Sequence, residues 1–158
     1  MNRRKMFSLI ASSLCLGATL FSGGMANATQ SDEVKAAIDE FHAALESRDI
    51  KKMEAVLAHD DYAMLVNPRD KSTTVGWDNV RKSWESTFNF WAELKLQMTG
   101  APHIHINGDV AWADSSVTVV GKTTAGANIN GPTLEAYVFE KHGKQWLLVS
   151  HNAWRVPQ

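Results

Sequence analysis

Cysteine occurs once, as Cys15, inside a segment that reads as an export leader, so the mature chain is left without thiols. That excludes disulfides, thiol nucleophiles and cysteine metal sites. Clustered cations are also missing. Residues 29–158 lose three of the sixteen basic residues and none of the seventeen acids, which leaves a net charge of −4 with Lys and Arg dispersed. Nucleic acid, whose phosphates demand grouped cations, is therefore not an expected partner. No phosphate-cradling glycine loop, serine elbow or pair of carboxylates at fixed spacing occurs. Internal repeats, low-complexity tracts and linkers are likewise absent after the leader, so the remainder reads as one domain over residues 29–158.

The leader itself has the three expected parts. Arg3, Arg4 and Lys5 are basic, residues 6–21 are mostly apolar, and Ala26-Asn27-Ala28 sets small residues where a signal peptidase reads. Cleavage after Ala28 is predicted. The apolar run has sixteen residues broken by Ser8, Ser12, Ser13, Gly17 and Thr19, short of the roughly 20 apolar residues that span a bilayer, so no membrane association is expected after cleavage. The run-in Asn2-Arg3-Arg4-Lys5-Met6-Phe7 resembles a twin-arginine leader, and the general secretory route fits as well. Either route implies a bacterial periplasm or exterior.

What the chain does contain is ordered. Ser31 can cap a helix whose apolar residues Val34, Ile38, Phe41 and Leu45 keep to one stripe. Asp49 can cap a short second helix with Ile50, Met53 and Leu57 facing inward. Residues 62–66 read as a strand closed by Asn67-Pro68, and residues 69–74 as a loop. After Gly76, the spacing of Trp77, Val80, Trp84, Phe88 and Trp91 predicts an aromatic-rich third helix. From residue 92 onward the pattern alternates between glycine-marked turns, with strands predicted over 93–99, 103–106, 110–122, 133–141 and 145–156. The class is α+β: three N-terminal helices covering one face of an antiparallel meander.

Chemistry-bearing residues are few. Glu135 alternates with Tyr137 and Phe139, one carboxylate among aromatics, where burial would suit it to acid–base work or an edge position would leave it solvated. Asp114 shares its strand face with Trp112, Ser116 and Thr118, facing either a cavity or a polar convex surface. His103 and His105 fall on one strand face, but no third ligand is evident and no metal is expected. His42 and His59 need no role beyond their polar surroundings, and His142 lies in a turn. Six tryptophans suggest a large aromatic interior, in which Trp84, Phe88 and Trp91 could line a hollow for a flat apolar ligand.

The order of elements, together with Glu40-Phe-His-Ala-Ala-Leu-Glu-Ser-Arg-Asp49, Gly76 and Trp146-Leu-Leu-Val149, resembles the SnoaL-like and ketosteroid isomerase-like members of the nuclear transport factor 2-like (NTF2-like) superfamily. The resemblance spans residues 31–156 and implies a cone-shaped α+β barrel, often open at one end, with sheet faces that commonly pair into homodimers. In the isomerase-like members an acidic base precedes the proline that ends the first strand, and here that position is Asn67, which cannot take a proton from carbon. Their oxyanion-binding tyrosine falls on Phe41, and their second carboxylic acid on or near Glu135. SnoaL-like relatives often carry histidines at the positions of Ser150 and Asn152, with His151 lying between them here. Strict alternation would put Asn152 with Trp146 and set His151 on the other face; a bulge would turn His151 to the functional side.

Three functions follow as expectations. The first is a dimeric, non-catalytic module whose cone binds a small apolar or aromatic molecule or a partner protein, without cofactor, lined by Phe41, Asn67, Trp84, Phe88, Trp91, Trp112, Asp114, Tyr137 and Asn152. The second is an acid–base isomerase, lyase or hydrolase in which Glu135 moves the proton, His151 substitutes if its strand is bulged, and Asn67, Tyr137 or Asn152 holds an oxygen. The third is an oligomerisation module. A second ionisable group facing Glu135 would count against the first.

Overall fold

A computed structural model describes residues 22–157, so most of the predicted leader, residues 1–21, lies outside the described residues. Helix α1 (Ser22–Ser47) is followed by α2 (Ile50–Val56), β1 (Met64–Val66), β2 (Thr74–Val75), α3 (Trp77–Phe90), β3 (Trp91–Met98), β4 (His103–Asn107), β5 (Val110–Thr123), β6 (Asn128–His142) and β7 (Gln145–Arg155). Among the described residues no helix is long and apolar enough to cross a membrane.

The apolar stripe of α1 forms as its spacing requires: Val34, Ile38, Phe41 and Leu45 are all buried. Each such side chain contributes about 1.5–3 kcal/mol by leaving water. Ser31, expected as the N-cap, lies inside α1, because the helix continues back through Ala28 to Ser22 and its N–H groups meet carbonyls of a preceding turn. Asp49 does cap α2, its side chain accepting the Lys51 N–H at 2.9 Å. Gly76, at φ +85°, starts α3 without a side-chain cap, a conformation open to glycine. Its own N–H is spent on the Ala63 carbonyl at 2.8 Å, which ties the helix start to the strand side of the molecule.

The sheet runs β2-β1-β7-β6-β5-β3, with β4 also pairing β5. Strands β3 and β4 share one edge of β5 end to end, β4 along residues 110–114 and β3 along 117–123. The sheet as a whole is mixed, since β1 runs parallel to β7, while the meander of β3 to β7 is antiparallel throughout. Two expectations are corrected. The predicted loop 69–74 ends in strand β2, which pairs back on β1. Gly131-Pro132, read as a break, sits within β6; there β6 pairs only with β5, because the β7 ladder starts at Thr133, and a one-sided edge tolerates a proline. The terminal strands β2 and β3 do not pair, so the curved sheet stays open. The core lies between its inner face and the helices, centred on Ile38, Phe41, Met53, Leu65, Trp84, Tyr137, Phe139 and Leu148.

Candidate functional site

The geometry of the site is set by one extra residue. Along the β6–β7 ladder Phe139 faces Leu148 while Val138 faces Ser150, which leaves Val149 as a bulge. Before the bulge, Trp146 and Leu148 are buried; after it the parity is reversed, and His151 and Ala153 are the buried pair while Trp154 is exposed. His151 thus faces inward, opposite Tyr137 on β6 and Leu65 on β1. Asn152, expected at the cavity, turns to the other face by the same reversal and donates to the Ser150 hydroxyl at 3.3 Å.

Glu135, Tyr137 and Phe139 share the inner face of β6, and all three are buried. Two hydrogen bonds reach the Glu135 carboxylate, and a second imidazole stands beside it. Tyr137 Oη–H reaches Oε2 at 2.5 Å, His42 Nε2 stands 3.0 Å from the same oxygen, and His151 Nε2 lies at 3.5 Å. Tyr137 is further bound to Ser115 at 2.9 Å and to His42 at 3.0 Å. Burial alone would push the Glu135 carboxyl up; the imidazoles of His151 and His42 outweigh it and hold the carboxyl well below its ordinary value. Burial, and then the Glu135 charge, push the Tyr137 phenol far above its ordinary range, so it stays a donor. The arrangement is an ionised carboxylate among a phenol and two imidazoles.

His151 differs from the others in that neither ring nitrogen has a hydrogen-bond partner, although the residue is 3% exposed. Its ring is packed among Phe41, Tyr137 and Trp84, with centroids at 4.8, 5.5 and 5.8 Å. The indole Nε1–H of Trp84 is also buried without an acceptor. Both residues, and Glu135, border a cavity of about 340 Å³, a volume in the range of small-molecule sites. Leu45, Trp91, Leu94, Leu96, Val119 and Ile129 supply apolar wall; Asn67, Thr133, Arg69 and Arg155 supply polar wall. Asn67 is fixed by Asp70, which accepts its backbone N–H at 2.8 Å, and by a side-chain bond to Ser83 at 3.2 Å.

The candidate residues therefore separate into three groups. Glu135, His151, Asn67, Trp84 and Trp91 reach the cavity. Phe41, Phe88 and Tyr137 are buried in the core behind its wall. Trp112 and Asp114 are corrected outright: both are exposed on the outer sheet face, where Asp114 pairs with His103 at 3.0 Å and Trp112 stacks on His105 at 4.3 Å. The inner positions of β5 are Ala111 and Ala113, set beside Phe139 and Tyr137; those two rings fill the interior, and a large neighbour there would overpack it. His42 was missed. It lies four residues after Ile38 and three before Leu45, on the stripe of α1, and that spacing is the signal that could have found it. Among the described residues no three His, Cys, Asp or Glu side chains are grouped to hold a metal ion.

Comparison with known proteins follows the same lines. The profile of the SnoaL-like domain family matches residues 34–153. No curated protein sequence matches the chain. Among solved structures, a Streptomyces avermitilis protein provisionally assigned as a dehydratase of the NTF2-like family aligns with a TM-score of 0.74 at 18% identity, over 83% of this chain and 99% of that one. An NTF2-like superfamily protein from Salmonella enterica aligns with a TM-score of 0.76 at 15% identity, over 84% and 94%. A Thiobacillus denitrificans protein provisionally assigned as a calcium/calmodulin-dependent protein kinase type II association domain aligns with a TM-score of 0.66 at 25% identity, over 77% and 94%.

Proposed function

The chain belongs to the SnoaL-like domain family, and from that premise we propose that its cavity is a site of acid–base chemistry on a small apolar or aromatic molecule, of isomerase or lyase type. The observation that carries this reading is His151: a buried imidazole at the wall of an apolar cavity, its Nε2 3.5 Å from an ionised Glu135 and its Nδ1 without a hydrogen-bond partner. It replaces the non-catalytic reading, because three ionisable groups rather than one surround that carboxylate.

In the proposed step His151 removes a proton from carbon next to a carbonyl. The C–H electron pair becomes a carbon–carbon double bond, and the carbonyl oxygen takes the charge. The Glu135 carboxyl is held below its ordinary value, which makes it a weak base; its charge instead stabilises the imidazolium formed on His151. The free indole N–H of Trp84 and the amide of Asn67 are the donors offered to the oxygen. The proton then returns to another carbon, giving an isomer, or to a hydroxyl that leaves as water. The S. avermitilis neighbour's assignment as a dehydratase is in keeping with the second outcome. His42 and Tyr137 are positioning residues, since they act through Glu135.

The test is α-proton exchange of 2-tetralone in D2O, followed by NMR. The wild type is expected to accelerate exchange, and His151→Gln to lose about 10²–10⁴-fold of that rate while keeping its near-ultraviolet circular dichroism. Equal rates with the two proteins overturn the reading. The same proposal includes export, tested by whether protein recovered from the periplasm or medium has the mass of a chain starting at Thr29, and a homodimer formed through the outer sheet face.

A further inference from the structure

The bulge that turns His151 inward also decides where the next charge goes. Arg155 lies two residues beyond Ala153 on the reversed parity and borders the cavity together with Ala153 and His151. A second guanidinium arrives from the loop after β1. Because β1 is parallel to β7, with Val66 opposite Asn152, the chain leaving β1 through Pro68 meets the end of β7, and Arg69 borders the same cavity. Its guanidinium carbon sits 3.5 Å from the centroid of the Phe90 ring. Stacking of this kind occupies the flat face of the group and leaves its in-plane N–H donors free.

Two cations at one rim stand out in a chain whose residues 29–158 carry a net charge of −4. Neither makes an ion pair with a carboxylate within 4.0 Å among the described residues, although other basic side chains, such as Arg81 and Lys95, do. The nearest acid in sequence, Asp70, accepts the Asn67 N–H. Partial burial lowers the Arg69 guanidinium from its ordinary value; Asp70 opposes this, and the charge of Arg155 adds to it, so the two guanidinium groups repel across the rim. An anion between them would relieve that repulsion. A planar carboxylate fits the fork of an arginine through two parallel hydrogen bonds.

We propose that the cavity takes a small carboxylic acid with an apolar or aromatic body, its carboxylate held by Arg69 and Arg155 at the rim and its body against Trp84, Trp91 and Leu94 in front of His151. The inference rests on the reading of this cavity as the proton-transfer site and narrows it to one substrate class. Rim and floor divide the work: the arginines orient the acid, and the reacting carbon lies deeper.

Isothermal titration calorimetry of the purified protein with 2-naphthoate and with its neutral counterpart 2-naphthamide tests the proposal. The acid is expected to bind about tenfold tighter than the amide. That preference should weaken as ionic strength rises and fall to near unity in the double variant Arg69→Gln/Arg155→Gln. Both arginines are exposed, so the variant should keep the wild-type circular dichroism. Equal affinities in the wild type, a preference that survives the double substitution, or no binding of either compound overturns it. His151→Gln separates the two readings. Lost exchange with the acid preference retained is the pattern expected of a proton-transfer residue that does not hold the carboxylate. If wild-type exchange is absent while the acid preference holds, only the proton-transfer reading falls; if exchange is present without the preference, only the carboxylate proposal falls.

Discussion

A buried carboxylate placed against a phenol and two imidazoles changes how the whole protein responds to acid. Glu135 lies below its ordinary value of 4.5 when folded, so it adds stability that is complete above that value and is lost as pH falls toward the folded one. Glu135→Gln removes this titration. The wild-type urea midpoint is therefore expected to drop more steeply than that of the variant from about pH 5 to about pH 3, and parallel acid limbs would refute the ionised carboxylate. Glu33 and Glu46 are also lowered and titrate in both proteins, so they cancel in the comparison. At this scale the sequence was informative about Glu135, whose alternation with Tyr137 and Phe139 carries directly into the buried face. For His42 the stripe of α1 signals an inward position but not the partner, because a histidine there reads the same whether it packs or meets a carboxylate 93 positions later.

At the scale of the elements, the helices and most strands were legible because their periodicity comes from one buried face, while the phase of a strand was not. Trp112 and Trp154 look like interior residues by size, yet both are exposed, and Ala111, Ala113 and Ala153 take the inner positions. Composition assigns a face by bulk; packing assigns it by the space the neighbouring strand leaves. His151 faces inward only through the bulge at Val149, and a bulge leaves no composition signal. A second irregularity bears on the cavity, where the β3–β5 register shifts between Trp91 and Glu93 and β5 passes beneath at Gly121. A Cβ at Gly121 would press on the Glu93 carbonyl oxygen and approach Trp91 Cζ3 to 2.9 Å. Backbone and a cavity-lining indole would both have to move. Gly121→Ala is therefore expected to cost about 1–3 kcal/mol in urea unfolding and to weaken 2-naphthoate binding, whereas a wild-type midpoint would show that β3 can shift freely.

For the whole molecule, the outer face of the sheet poses the remaining question. Trp112, Leu134 and Trp154 are each about half exposed there, with Leu134 and Trp154 directly paired across β6 and β7. Large apolar groups held in water on a regular surface are the usual mark of a contact face. Strands β5, β6 and β7, of 14, 15 and 11 residues, run tens of ångströms at about 3.3 Å per residue, long enough to approach the roughly 800 Å² that each partner of a stable pair contributes. We propose that a second copy covers this face in an isologous pair, which also explains why two tryptophans are spent outside a core that alanines fill. Analytical ultracentrifugation of the wild type is expected to give a dimer. Trp154→Glu, which buries a charge in that contact at a side chain about half exposed on the outer face, is expected to give a monomer with unchanged circular dichroism. Because Arg155 follows Trp154 directly and faces the cavity from the same strand end, separating the copies should also loosen the rim. Carboxylate binding in the monomer is then expected to fall by about tenfold or less, less than the loss caused by removing both arginines; a monomeric wild type would place these tryptophans against some other surface and end the proposal.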